Sequence, residues 1–111
     1  MEYFVIGERE LVLGFMLVGV NGSVASNRNE ALDAFLMVTG QDSSVNRLSA
    51  EDRPKVLILT EDVADMLSEE IKIWQMKGSA PLIVEIPGLQ GHIQGRKSLS
   101  DAIREAVGIQ V

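Results

Sequence analysis

The chain has 111 residues, a formal net charge of −6, 46% hydrophobic and 23% charged residues, and no cysteine. That length bounds a single domain with a modest core, and the negative charge argues against a general affinity for nucleic acid or anionic lipid. The lack of cysteine excludes a disulfide framework and thiol chemistry.

The longest nearly apolar run, residues 11–20, falls far short of the roughly 20 needed to cross a bilayer, so no direct membrane insertion is expected. Residues 3–6 read as a short buried strand ending at Gly7, and no basic, signal-like segment precedes them, which makes the cytosol the expected location. Residues 8–18 follow, with Leu11, Val12, Leu13, Phe15, Met16, Leu17 and Val18 apolar nearly all round a predicted helix. Such a helix is usually buried on more than one side. One side either meets another subunit or lies deep against the sheet, and the sequence leaves both open. Gly14 weakens the helix unless close packing needs its missing Cβ.

Residues 19–22 carry turn chemistry, and Val24-Ala25 makes at most a short strand. Asn27-x-x-Glu30 predicts a capping box, opening a helix to about Val38 with Ala31, Ala34, Phe35 and Val38 inward and Gly40 at its end. Residues 41–54 are polar, contain Pro54, and read as a long connection with room for one helical turn at 49–52.

Residues 55–88 hold the organising unit. The apolar runs 56–59 and 82–86 suit strands buried on both faces, as in a helix-covered parallel sheet. Between them, Val63, Leu67, Ile71 and Trp74 recur at helical spacing, with Thr60 as the expected N-cap and Lys77-Gly78 as the stop. A strand–helix–strand unit of this kind makes a parallel pair through a right-handed crossover. Pro87-Gly88 ends the last strand, and residues 88–97 hold three of the ten glycines, the composition of a mobile loop. Ser98-x-x-Asp101 predicts a final helix with Leu99, Ala102, Ile103, Ala106 and Val107 in one stripe.

The sum is an α/β chain, a small doubly wound domain of about four parallel strands alternating with helices, of the Rossmann-like or receiver-like class. Its core spans residues 1–88, and residues 89–111 add a glycine-rich hinge and a mobile C-terminal helix.

Little in the chain predicts chemistry. Gly7-Glu-Arg-Glu after the first strand is no phosphate cradle, because one glycine and two carboxylates repel what a cradle must hold. His92, the only histidine, has no Cys or His to share a metal with and reads as a solvated loop residue. A receiver domain needs an acidic pair, a phosphoacceptor Asp and a lysine at successive strand ends. Here Glu8 and Glu10 follow the first strand, Thr60-Glu61 the third, and no strand remains to present the lysine. These acids read better as N-terminal helix charges. No catalytic, cofactor-binding or metal residue is assigned, and no cofactor is expected.

The stretches Val5-Ile-Gly-Glu-Arg, Gly14-Phe, Leu17, Gly19-Val20, Val56-Leu-Ile-Leu-Thr-Glu-Asp-Val-Ala, Pro81-Leu-Ile-Val-Glu-Ile-Pro-Gly and Ser98 through Ile103-Arg-Glu-Ala-Val-Gly108 occur in one order. Together with Asn27-x-x-Glu30-Ala-Leu, that order resembles the F subunit of V/A-type rotary ATPases over nearly the whole chain. Residues 41–54 depart from the family pattern, being longer and more polar. The resemblance implies a non-catalytic part of the central rotor shaft that binds the coiled-coil D subunit. The shaft turns inside the catalytic A/B head and couples ATP hydrolysis or synthesis to ion movement through a membrane ring. Nucleotide, Mg²⁺ and catalytic residues would then belong to other subunits, and the chain would be peripheral to the membrane through the complex.

The expected partner-binding residues are Ile86, Pro87, Leu89 and Ile93 at the last strand's exit and the terminal stripe Leu99, Ile103, Val107 and Ile109. That stripe can either complete the chain's own core or dock on a partner coiled coil, and the resemblance implies that it moves between those placements. Two alternatives remain: a free-standing receiver-like regulatory domain without its phosphoacceptor that binds another protein, and a small flavin- or nucleotide-binding enzyme, for which the phosphate cradle is missing.

Overall fold

The computed structural model describes residues 1–41, 49, 51–89 and 91. In chain order these form β1 (Tyr3–Gly7), α1 (Arg9–Leu17), β2 (Asn21–Val24), α2 (Arg28–Val38), β3 (Val56–Thr60), α3 (Glu61–Met66), α4 (Ser68–Lys77) and β4 (Leu82–Ile86). The four strands make one parallel sheet in the order β2-β1-β3-β4. The chain therefore winds outward from β1 to one edge, then crosses back to build the other. This is the doubly wound arrangement that the alternation of strands and helices predicts.

Side-chain alternation along the strands divides the core in two. Phe4, Ile6, Leu57 and Leu59 join Ala31, Ala34, Phe35 and Val38 of α2, with Val63, Leu67, Ile71 and Trp74, in the larger cluster. On the opposite face Val5 packs with Leu11 and Val12 of α1, and Phe15, Val20, Ile58 and Ile86 close around them half-buried. One helix on one face and three on the other leave the two faces unequally covered among the described residues.

Helix ends follow local chemistry where the sequence supplies it. Asn27 Oδ1 accepts from the Glu30 amide at 2.9 Å, and Glu30 Oε1 accepts from the Ser26 amide at 2.8 Å. The cap is reciprocal, but its return bond lands one residue upstream of the capping-box position. Gly78 ends α4 with φ of 66°, a left-handed conformation that a side chain would disfavour.

Four expectations are corrected. The helix after β3 is not continuous, for α3 and α4 meet at Leu67, with φ −111° and ψ 21°. Leu67 N still donates to Val63 O at 3.1 Å, and Ile71 N to Leu67 O at 2.9 Å, so the ladder bends without stopping. At the bend the Met66 carbonyl accepts from Arg28 Nη1 on α2. The Arg28 guanidinium also grips both Glu70 oxygens, at 3.2 and 2.7 Å. The Arg28 hydrogen bond holds the Glu70 carboxyl below its usual range, and the same bond raises the Arg28 pKa. A lowered carboxylate pKa adds stability above the unfolded carboxylate range and loses it as pH falls through the folded value. With Arg28 half exposed, that contribution is small.

The second correction concerns Thr60, whose hydroxyl does not cap α3; Oγ1 is buried without a hydrogen-bond partner among the described residues. Third, β2 starts inside the stretch expected to be a turn. Gly22 pairs with Val5, and an added Cβ there would lie 2.6 Å from Val5 Cγ1 and 2.8 Å from the Val5 carbonyl oxygen. Glycine at this position permits a close approach of strand and helix. Fourth, β4 is not buried on both faces. It is the sheet's edge, with Leu82 66% exposed and Val84 and Glu85 also facing out.

Candidate functional site

Doubly wound sheets bind small ligands in the crevice at the carboxyl ends of the strands where the winding reverses, here between β1 and β3. In this chain the ends of β1 and β3 stand close together at that point. Gly7 and Thr60 are so close that a Cβ on Gly7 would lie 2.6 Å from Thr60 Cγ2. Glu8, the residue at the N-cap of α1, makes no capping bond with its side chain; Oε1 accepts from the backbone amide of Leu89 instead. The carboxylate thus ties the start of α1 to the exit of β4, where a cradle would offer free amides to phosphate. Among the described residues, no group of three or more His, Cys, Asp or Glu side chains is placed to hold a metal ion.

The notable surface is apolar. Leu11 and Val12 of α1 are buried, while Leu13, Met16, Leu17 and Val18 face outward, Leu17 88% and Val18 77% exposed. Contiguous exposed apolar residues of this kind mark interaction sites more often than isolated ones do. The helix that is apolar all round therefore covers the sheet with one side and presents the other. Beside it Glu10, Leu11, Gly14, Phe15, Val18 and Leu89 line a groove of about 370 Å³. Across the same sheet face, Tyr3, Val56 and Leu82 stand in one register row, and Val5, Ile58 and Val84 in the next. Tyr3, Leu82 and Val84 are exposed, although parallel sheets normally have both faces covered.

The structure brings together some of the residues expected at a partner surface. Ile86 is half-buried against the Val5, Leu11 and Val12 cluster, Pro87 is exposed, and Leu89 is exposed at the groove's edge. Ile93, Leu99, Ile103, Val107 and Ile109 lie outside the described residues. The outward side of α1 is the surface that the sequence leaves undecided. Its signal is present in the run of residues 11–18, but periodicity alone does not say which side of an all-apolar helix meets the sheet.

Residues 4–107 match the model of a protein family described as ATP synthase (F/14-kDa) subunit. The chain belongs to this family. It is similar to the F subunit of the A-type ATP synthase of Thermococcus kodakarensis, 27% identical over 111 residues covering 100% of this chain and 98% of the relative. The corresponding F subunit of Methanocaldococcus jannaschii is 27% identical over 112 residues, covering 100% and 99%. That of Methanothermobacter thermautotrophicus is 29% identical over 109 residues, covering 96% and 92%. Family membership makes this chain a component of an ATP synthase complex, a setting in which an exposed apolar helix face has a protein to meet. Among the described residues no helix is long and apolar enough to cross a membrane.

Proposed function

We propose that the chain is a non-catalytic central-stalk component of an A-type rotary ATP synthase. In this reading it binds the side of the coiled-coil D subunit, beside the A/B head, and helps couple ATP hydrolysis or synthesis to ion translocation. The observation that carries the reading is the outward apolar face of α1 on a domain whose turn after β1 offers a carboxylate, Glu8, tied to the Leu89 amide, in place of a phosphate cradle. Such a molecule is built to be held by another protein. Nucleotide and Mg²⁺ fall to other subunits, and the chain sits on the cytoplasmic side, peripheral to the membrane through its complex.

Residues 1–88 act as the rigid body, and residues 89–111 as hinge and terminal helix. Ile86, Pro87, Leu89 and Ile93, with the stripe Leu99, Ile103, Val107 and Ile109, contribute contacts to the rotor.

The stripe is tested by Ile103→Asp in a calorimetric titration against the host's D subunit. A charge placed in an apolar anchor costs about 2 kcal/mol or more, which is roughly 30-fold in affinity. The far-UV circular dichroism of the free domain should be unchanged. Wild-type affinity in the variant would remove the stripe from the interface, and loss of the folded signal would make it core. A wild-type chain with no affinity for the D subunit would overturn the function itself.

A further inference from the structure

We propose that Asn21-Gly22 is a self-modification site, at which Asn21 deamidates through a cyclic imide when β2 leaves the sheet edge, and that the isoaspartyl product cannot rejoin β1 in register. Asparagine before glycine is the pair in which this reaction meets least hindrance, because the attacking nitrogen has no neighbouring Cβ to shield it. The asparagines of the chain are Asn21, Asn27, Asn29 and Asn46, and only Asn21 precedes glycine. Asn21 is exposed, so water and hydroxide reach its side chain.

Packing explains why so reactive a pair is kept. Gly22 stands in register with Val5, and a Cβ there would lie 2.8 Å from the Val5 carbonyl oxygen. The close approach of β2 to β1 therefore favours glycine at this position, whatever it does to the stability of the residue before it.

The backbone sets both the opportunity and the brake. Ala25 N donates to the Gly7 carbonyl at 3.0 Å, on the β1 side of the strand. Amides along a strand point to alternate sides, so Ser23 and Asn21 turn theirs toward β1. Gly22 turns its amide the other way, out from the sheet edge that β2 forms. The nucleophilic nitrogen thus stands outside the β1–β2 ladder and is open to base. The brake is conformational. Extended backbone swings the Gly22 nitrogen away from the Asn21 side chain, and ring closure requires ψ of Asn21 to leave the strand region. A four-residue edge strand opens locally at less than the cost of global unfolding.

The reaction needs only hydroxide and water. Hydroxide takes the Gly22 amide proton and the nitrogen bonds to Asn21 Cγ. The Cγ–Nδ2 bond breaks, and ammonia leaves with a proton supplied by water, which regenerates hydroxide. Water then opens the imide on either side. Cleavage at Cγ gives aspartate with the main chain restored. Cleavage at the main-chain carbonyl gives isoaspartate, in which the chain runs through Cβ and gains a methylene. Gly22 has no slack toward Val5, so the added length breaks either the pairing of residue 21 with Phe4 or the pairs beyond it.

The test incubates the full chain at mildly alkaline pH, native and in guanidinium chloride, and locates deamidation by peptide mapping with mass spectrometry. Asn21 should convert to aspartate and isoaspartate in both, about tenfold or more slowly in the native chain, which reacts only while β2 is open. Asn21→Gln, which would have to close a larger ring, should lose the reaction at residue 21. The isoaspartyl chain, separated by ion exchange, should melt about 5 °C or more below wild type. Asn21→Asp, with a normal backbone, should melt within about 3 °C of wild type. No conversion at Asn21 in the native chain would overturn the site. Equal rates in the two states would overturn the gating by β2, and an isoaspartyl chain that melted with the wild type would overturn the loss of register.

Discussion

Gly22→Ala lowers the stability of the domain by about 1–3 kcal/mol, a fall in melting temperature of roughly 5–20 °C. Gly22 faces Val5 in register on the edge strand β2, which is pressed against the central strand β1 beneath α1. A Cβ there would come within 2.6 Å of Val5 Cγ1, 2.8 Å of the Val5 carbonyl oxygen and 3.0 Å of Val12 Cγ1. The two side-chain tips can rotate away, but the carbonyl oxygen belongs to a central strand and cannot. The strain therefore passes into the β1–β2 ladder or lifts α1 from the sheet. Thermal melts followed by circular dichroism measure the effect. The same glycine-to-alanine change eight residues earlier, at Gly14, is expected to stabilise. The sign depends on what surrounds the added methyl, and a Gly22→Ala chain that melted with the wild type would contradict the packing described for β2.

Trp74→Ala costs about 3–5 kcal/mol, the loss expected for removing a large aromatic side chain from a core. Trp74 is 5% exposed within the larger cluster, and its Nε1–H donates to the Pro81 carbonyl at 3.0 Å, joining α4 to the lead-in of β4. Trp74→Phe keeps most of the apolar volume and loses that hydrogen bond, so its cost should be only about 1 kcal/mol. Lys77 Nζ, 5.7 Å from the ring centroid, adds a minor attraction that either substitution weakens. Urea midpoints of the two variants separate packing from hydrogen bonding. Equal losses would mean that the bond to Pro81, rather than the buried ring, holds β4 in place.

The fold is legible in the sequence wherever its determinants are local. The apolar runs of β1 and β3, the Asn27 cap and the Gly78 stop each depend on residues within a turn of one another, and each is found as expected. Where a determinant is distant, the sequence is silent. The bend at Leu67 coincides with a carbonyl gripped by Arg28, 38 residues away from Met66. The Glu8 tether to Leu89 spans 81 residues and converts an apparent helix-starting charge into a structural clasp. The exposure of β4 follows from its place at the sheet edge, which composition cannot reveal, because a Leu-Ile-Val run reads alike at centre and margin. Gly22 reads as a turn for a related reason: a glycine needed for close packing and a glycine needed for a turn are the same letter.

The exposed apolar surface is half legible. The apolar excess on α1 is plain from residues 11–18, yet only the packed helix shows that Leu11 and Val12 turn inward and Leu17 and Val18 outward. Gly7-Glu-Arg-Glu already argues against a ligand in the crevice, although the tie from Glu8 to Leu89 is tertiary.

The proposed function turns on binding of this chain to the coiled-coil rotor component. Co-expression of the two, followed by size exclusion and native mass spectrometry, measures that directly. The expected result is a stable one-to-one complex that persists through the column at micromolar concentration. Two separate peaks at that concentration would contradict it, leaving the doubly wound fold in place but directing attention to a free-standing regulatory domain.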